Sequence, residues 1–254
     1  MNNLYLFSVA FKYYFKRVTR DPFGILIYTV VPVILIAVIG AINSQNVQEE
    51  IFVNGYNMVM TYVGISMLLL FLLNGGILLL NYLDIDFGKA MKWRLKTTPC
   101  PTHIMVFAAT IVCSIFIFIQ GVLVISVTGI FMDAYWGNLM VTLGVVLLIS
   151  VFSMLLNIIL FFTVKKLSLA ETLSWVITWM MAALGGMMFS LPENSFFELM
   201  RNYGTPFALG QRSILASGFI ESSHTDVWIG ILGLVGINIL FSMIVMILGR
   251  RKLA

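Results

Sequence analysis

The chain has 254 residues, of which 60% are hydrophobic and only 10% are Asp, Glu, Lys or Arg. Soluble domains carry about a quarter charged residues, and a chain of this size has too little interior to hide so much apolar surface from water. A soluble globular fold is excluded, and residues 1–254 read as a single transmembrane domain with lipid as part of its solvent.

Residues 1–21 come first and read as an interfacial amphipathic helix. Leu4, Phe7, Phe11, Tyr14 or Phe15, and Val18 recur at three- to four-residue spacing, while Lys12, Lys16 and Arg20 run along another face. Such a helix lies in the headgroup plane with its rings in the acyl boundary. The charged stretch is too long and too aromatic for a cleaved signal peptide.

About 20 largely apolar residues are needed to cross the hydrocarbon of a bilayer. Six stretches meet that requirement: 23–42, 58–82, 104–131, 138–164, 172–191 and 227–249. None has an ionisable side chain in its centre. Tyr28, Tyr62, Tyr82, Tyr135, Trp136, Trp175, Trp179 and Trp228 fall toward span ends, where aromatic residues anchor a helix at the interface. With six spans, thirteen of the fifteen basic residues share one side. They lie in the amino-terminal helix (Lys12, Lys16, Arg17, Arg20), the second loop (Lys89, Lys92, Arg94, Lys96), the fourth loop (Lys165, Lys166) and the tail (Arg250, Arg251, Lys252). Only Arg201 and Arg212 fall on the other side, so both termini are expected in the cytoplasm.

Two connections stand out. Residues 83–103 form a basic loop in which 90–96 suggests a short cationic helix stopped by Pro99 and Pro101. Composition alone allows this loop to be no more than a topogenic element touching anionic lipid. Residues 192–226, between spans five and six, are long for a connection. Their apolar clusters are split by Gly204, Pro206 and Gly218, which predicts two short helices at or dipping into the outer surface, capping the bundle. Cys100 lies in the basic loop and Cys113 about three turns into the next span, too far apart to form a disulfide.

The order of these features resembles the permease subunits of ABC-2 type transporters. The basic loop after span two ends in Trp93-Arg94-Leu95-Lys96-Thr97-Thr98-Pro99. Gly185-Gly186 and Leu191-Pro192 punctuate the end of span five, and Pro206-Phe207 and then Arg212 come later. Only Asp84 and Asp86 stand where the family often has a longer acidic segment.

The resemblance implies an all-α membrane protein in a bacterial cell membrane, working as a homo- or heterodimer of six-span halves and exporting its cargo. Met91, Lys92, Trp93, Arg94, Leu95, Lys96, Thr97, Thr98 and Pro99 would form a coupling helix docked into a cytoplasmic ABC ATPase subunit, present in two copies. Met91, Trp93 and Leu95 would be its anchors and Lys92, Arg94 and Lys96 its steering charges. Leu191, Pro192, Pro206, Phe207 and Arg212 would close the outer exit. Gly40, Ala41, Ala182 and Gly186 would let helices approach across the dimer axis or, equally, pack within one subunit.

No G-x-x-x-x-G-K-[ST] phosphate loop occurs in the chain, so no cofactor is expected in it, and ATP with magnesium would belong to the partner. A nearly charge-free interior favours amphipathic or lipid-like cargo such as a peptide, an antibiotic or a lipid, and nothing suggests a nucleic-acid partner. An ion-coupled carrier usually keeps a carboxylate, His or Lys within the membrane. The deep polar residues here are Gln120, Asn157 and Asn238, which read as helix–helix hydrogen-bond bridges. An intramembrane enzyme would need a nucleophile with its base or a metal-ligand cluster, and His103 and His224 are expected on opposite sides. A non-transporting scaffold or sensor subunit stays open. The sixteen methionines show no repeated register of metal ligands and read as packing.

Overall fold

The computed structural model describes residues 3–46, 52–53, 56–88, 100–187, 192, 194–218 and 224–253. Six of its helices are long and apolar enough to cross a membrane: Pro22–Ile42, Met58–Phe87, Thr102–Phe131, Leu139–Thr163, Leu167–Leu184 and Thr225–Arg251. We refer to them as spans one to six. The chain has the architecture of a multi-pass membrane protein.

Local chemistry sets the span ends. Asp21 caps span one by accepting from the Gly24 N–H at 3.1 Å, with Pro22 in the first turn, where a missing N–H costs nothing. Asn57 and Asn138 cap spans two and four, accepting from Met60 and Met140. Span five runs earlier than its hydropathy suggests. It starts at Leu167 and ends at Leu184 rather than reaching residue 191, because Gly186 takes φ +77°, a left-handed conformation that closes a helix.

Span two is the mast of the bundle. Of its apolar window 89% is buried, against 17% for span one, 22% for span five and 11% for span six. Spans one, five and six therefore present apolar faces that only lipid or another protein can cover. The mast is broken once, at Gly75-Gly76, where one helix ends at Asn74 and the next begins at Gly76. The Ser153 hydroxyl from span four enters this break, donating to the Leu73 carbonyl and accepting from the Gly76 N–H at 2.8 Å. A Cβ at Gly76 would overlap the Ser153 carbonyl oxygen, so only glycine lets these backbones meet.

Two of the three deep amides do bridge spans. Gln120 donates to the Gly24 carbonyl at 3.4 Å, and Asn238 to that of Leu148 at 3.1 Å. Asn157 instead donates to Ser153 on its own helix. The bridge there belongs to Ser153.

The expected aromatic belt is only partly present. Tyr62, Trp175, Trp179 and Trp228 are exposed on their spans, as anchors must be, but Trp136 and Tyr82 are each only 6% exposed. Trp136 turns inward to donate from Nε1 to Thr128, and its ring covers Gly64. A short antiparallel pairing of Phe52–Val53 with Tyr56–Asn57 borders this end of the bundle. The Tyr56 and Tyr135 rings meet there at 4.8 Å. Both cysteines are free.

Candidate functional site

At the basic end, the helix Asn3–Val18 does not simply float in the headgroup layer. It buries Leu6, Ala10, Tyr14 and Val18, a stripe at four-residue spacing, while Leu4, Tyr5, Val9 and Phe15 stay exposed. The buried stripe is rotated from the one hydropathy picks out. The helix lies along span three, where the Phe7 and Phe107 rings sit 5.8 Å apart.

A compact polar cluster fixes its far end. Span two finishes in a π-helical turn, Asp84–Gly88, which carries Asp86 into the protein at 1% exposure. Asp86 accepts from the Tyr14 hydroxyl at 2.7 Å and from Arg17 Nη1 at 2.9 Å. The Arg17 guanidinium lies 4.3 Å above the Tyr82 ring, and the Tyr82 hydroxyl donates to Asp21, which also caps span one. Five side chains (Tyr14, Arg17, Asp21, Tyr82 and Asp86) thus tie the amino-terminal helix to the beginning of span one and the end of span two. A carboxylate this buried is tolerable only because both of its oxygens are occupied. Burial, and then the Asp86 charge, push the Tyr14 phenol above its ordinary range. Burial works against the Arg17 charge, but Asp86 outweighs it and holds that guanidinium above its usual value. The sequence marked Asp86 only as the remnant of an acidic segment. Its pairing with Arg17, 69 residues away, has no local signal.

The basic loop leaves from this cluster. Met91, Lys92, Trp93, Arg94, Leu95, Lys96, Thr97, Thr98 and Pro99 lie outside the described residues. Span three then starts after Pro101, against the same amino-terminal helix.

At the opposite end, the segment between spans five and six divides in two. Ser195–Leu199, capped by Asn194 and continued by a π-helical turn Met200–Gly204, keeps Phe196 and Leu199 exposed. Pro206–Ala216, capped by Thr205, is sunk into the bundle with most of its residues buried. It packs on spans two, four, five and six. Gln211 donates to Ser66, which lies eight residues into span two and so about 12 Å along it. A Cβ at Gly210 would stand 3.2 Å from Val145 and 3.5 Å from Leu69, so glycine lets this helix lie close to spans two and four.

The residues expected to close the outer exit are spread across this region. Phe207 is fully buried, wedged against Gly185. Pro206 is buried beside it, whereas Pro192 is exposed and Leu191 lies outside the described residues. Arg212 pairs with Asp226 at 3.2 Å and lies 4.6 Å over the Tyr203 ring, joining the buried helix to the start of span six. Of the small residues, Gly40 is packed on Met60 of span two and Ala182 is fully buried within its own subunit. Gly186 ends span five next to Arg201, and Ala41 is exposed.

Among the described residues no three His, Cys, Asp or Glu come together as a metal-binding group. Comparisons with family models, with curated proteins and with solved structures find no match to this chain.

Proposed function

We propose that the chain is the membrane-spanning subunit of an ATP-driven exporter of the ABC-2 type. In this reading it sits in a cell membrane, bacterial in kind, with both termini in the cytoplasm, and moves an amphipathic or lipid-like compound outward. It pairs with a second permease subunit, and two copies of a separate ABC ATPase bring ATP and magnesium. The chain itself is not an enzyme and does no bond chemistry.

The supporting observation is the double attachment of the amino-terminal helix. One end is latched to Asp86, where span two becomes the basic loop, and its side lies on span three, where that loop ends. Both stems of the loop are thus gripped by one rigid element. A partner that rotates the loop would move spans two and three together with the helix, rather than merely bending a tether. Such a foot suits a subunit driven from outside itself. The buried helix Pro206–Ala216 would be the plug at the other end, tied to span two by Gln211 with Ser66 and to span six by Arg212 with Asp226. The exposed apolar faces of spans one and five suit the second subunit.

Copurification tests the proposal. The chain isolated from its own host should carry an ATPase whose hydrolysis is blocked by orthovanadate. Leu95→Asp or Arg94→Glu should strip that ATPase away while the melting temperature of the membrane subunit stays unchanged. Full assembly and hydrolysis in both variants would remove the coupling role. A chain that never carries an ATPase would favour a scaffold or sensor instead.

A further inference from the structure

Spans three, four and six enclose a lateral cleft of about 850 Å³. That is many times the ~30 Å³ share of a water molecule and within the range of ~300–1,000 Å³ typical of small-molecule sites. Its walls are apolar, with Phe107, Ile115, Leu155 and Met246 among them. Phe107 is 60% and Met246 58% exposed on spans that lie in hydrocarbon, so the cleft opens to lipid tails rather than to water. From His103 to Ile115 it follows span three for twelve residues, about 18 Å. One leaflet of a ~30 Å hydrocarbon core is about as deep.

The mouth has the opposite character. His103 and Arg250 stand there, and no Asp or Glu is among the residues lining the cleft. A guanidinium offers a fork of donors that matches a phosphate, and the imidazole adds an N–H donor beside it. Both residues lie at the basic end of the bundle, the side where the facing leaflet is rich in anionic lipid. An apolar slot one leaflet deep beneath a cationic mouth has the polarity profile of an anionic phospholipid.

We infer that this cleft is a binding site for an anionic phospholipid of the inner leaflet, its phosphate held by Arg250 and His103 and one acyl chain laid along spans three, four and six. The site does not depend on the exporter reading. It requires only the six-span bundle with its basic end inward. Phe107 is shared between the cleft and the amino-terminal helix through Phe7, so the bound tail abuts the helix that grips Asp86.

Native mass spectrometry of the purified full chain, delipidated and then offered phosphatidylglycerol or chain-matched phosphatidylcholine, tests this. The wild type should retain one phosphatidylglycerol in preference to phosphatidylcholine. Arg250→Gln should lower that retention roughly fivefold, as expected from loss of one basic contact at a membrane surface. Leu155→Trp, which fills the slot, should abolish retention of both lipids. Arg251→Gln, whose side chain is not part of the lining, should leave retention unchanged. Equal retention of the two lipids, or an Arg251→Gln effect as large as that of Arg250→Gln, would overturn the inference. So would an efficient cross-link between Ile115→Cys side chains of two copies, which would give the cleft to a second subunit.

Discussion

Arg17 Nη1 lies 2.9 Å from Asp86 Oδ1, and this contact joins the amino-terminal helix to the last turn of span two. The two partners are unequal. Asp86 is 1% exposed while the Arg17 side chain is 21% exposed, so the carboxylate depends on the pair more than the guanidinium does. Arg17→Met should therefore be the costlier change, about 3 kcal/mol, because it strands a buried charge. Asp86→Asn keeps an acceptor for Tyr14 and should cost about 1–2 kcal/mol. Thermal unfolding in detergent checks the order, and equal costs would contradict the buried-carboxylate account.

Tyr14 gives the same latch a pH limit. Burial first, and Asp86 second, raise its phenol above the ordinary 10.0, so the docked helix holds that proton more tightly than the undocked one. The stabilisation from neutral Tyr14 is complete below about pH 10 and is lost as pH climbs above it. The melting temperature of the wild type should fall more steeply between about pH 9 and about pH 11 than that of Tyr14→Phe, which has no phenol to ionise.

Glycines in the spans should separate into two kinds. Gly76→Ala drives a methyl into the Ser153 carbonyl and should cost at least about 3 kcal/mol. A methyl at Gly144 in span four meets nothing within 4 Å. Gly144→Ala should be neutral or stabilising by up to about 1 kcal/mol, since alanine is the better helix former. Paired melting curves decide the matter.

The bond from Gln211 to Ser66 should couple the sunken outer helix to span two. A double-mutant cycle with Gln211→Leu and Ser66→Ala should give about 0.6–1.7 kcal/mol of coupling, the range for hydrogen bonds between helices in membranes. Zero coupling would mean that the helix is held to span two by packing alone, as where Leu69 lies beside Gly210.

Most of the bundle was legible because lipid imposes a simple code. Any stretch of about 20 apolar residues must cross as a helix, and all six spans were readable in this way. Composition could not tell an aromatic ring facing lipid from one facing protein. Trp136 and Trp228 look alike in hydropathy, yet one is 6% and the other 60% exposed. The end of span five was misplaced because a left-handed Gly186 outweighs the apolar run beyond it. The candidate latch was invisible for a different reason. Tyr14, Arg17 and Asp86 are ordinary residues in their own neighbourhoods, and only tertiary packing brings them together across about 70 residues. Ser153 and Gly76 form a close helix–helix contact in the same unannounced way.

An ATPase in the cytoplasm can drive this chain only if the loop at residues 89–99 faces the cytoplasm. Lys92→Cys in a Cys100→Ser, Cys113→Ala background can be treated with a membrane-impermeant maleimide, before and after the cells are opened. Labelling only after permeabilisation is the predicted result. Labelling of intact cells would leave the cationic loop outside, beyond the reach of any cytoplasmic ATPase, and would contradict the exporter reading.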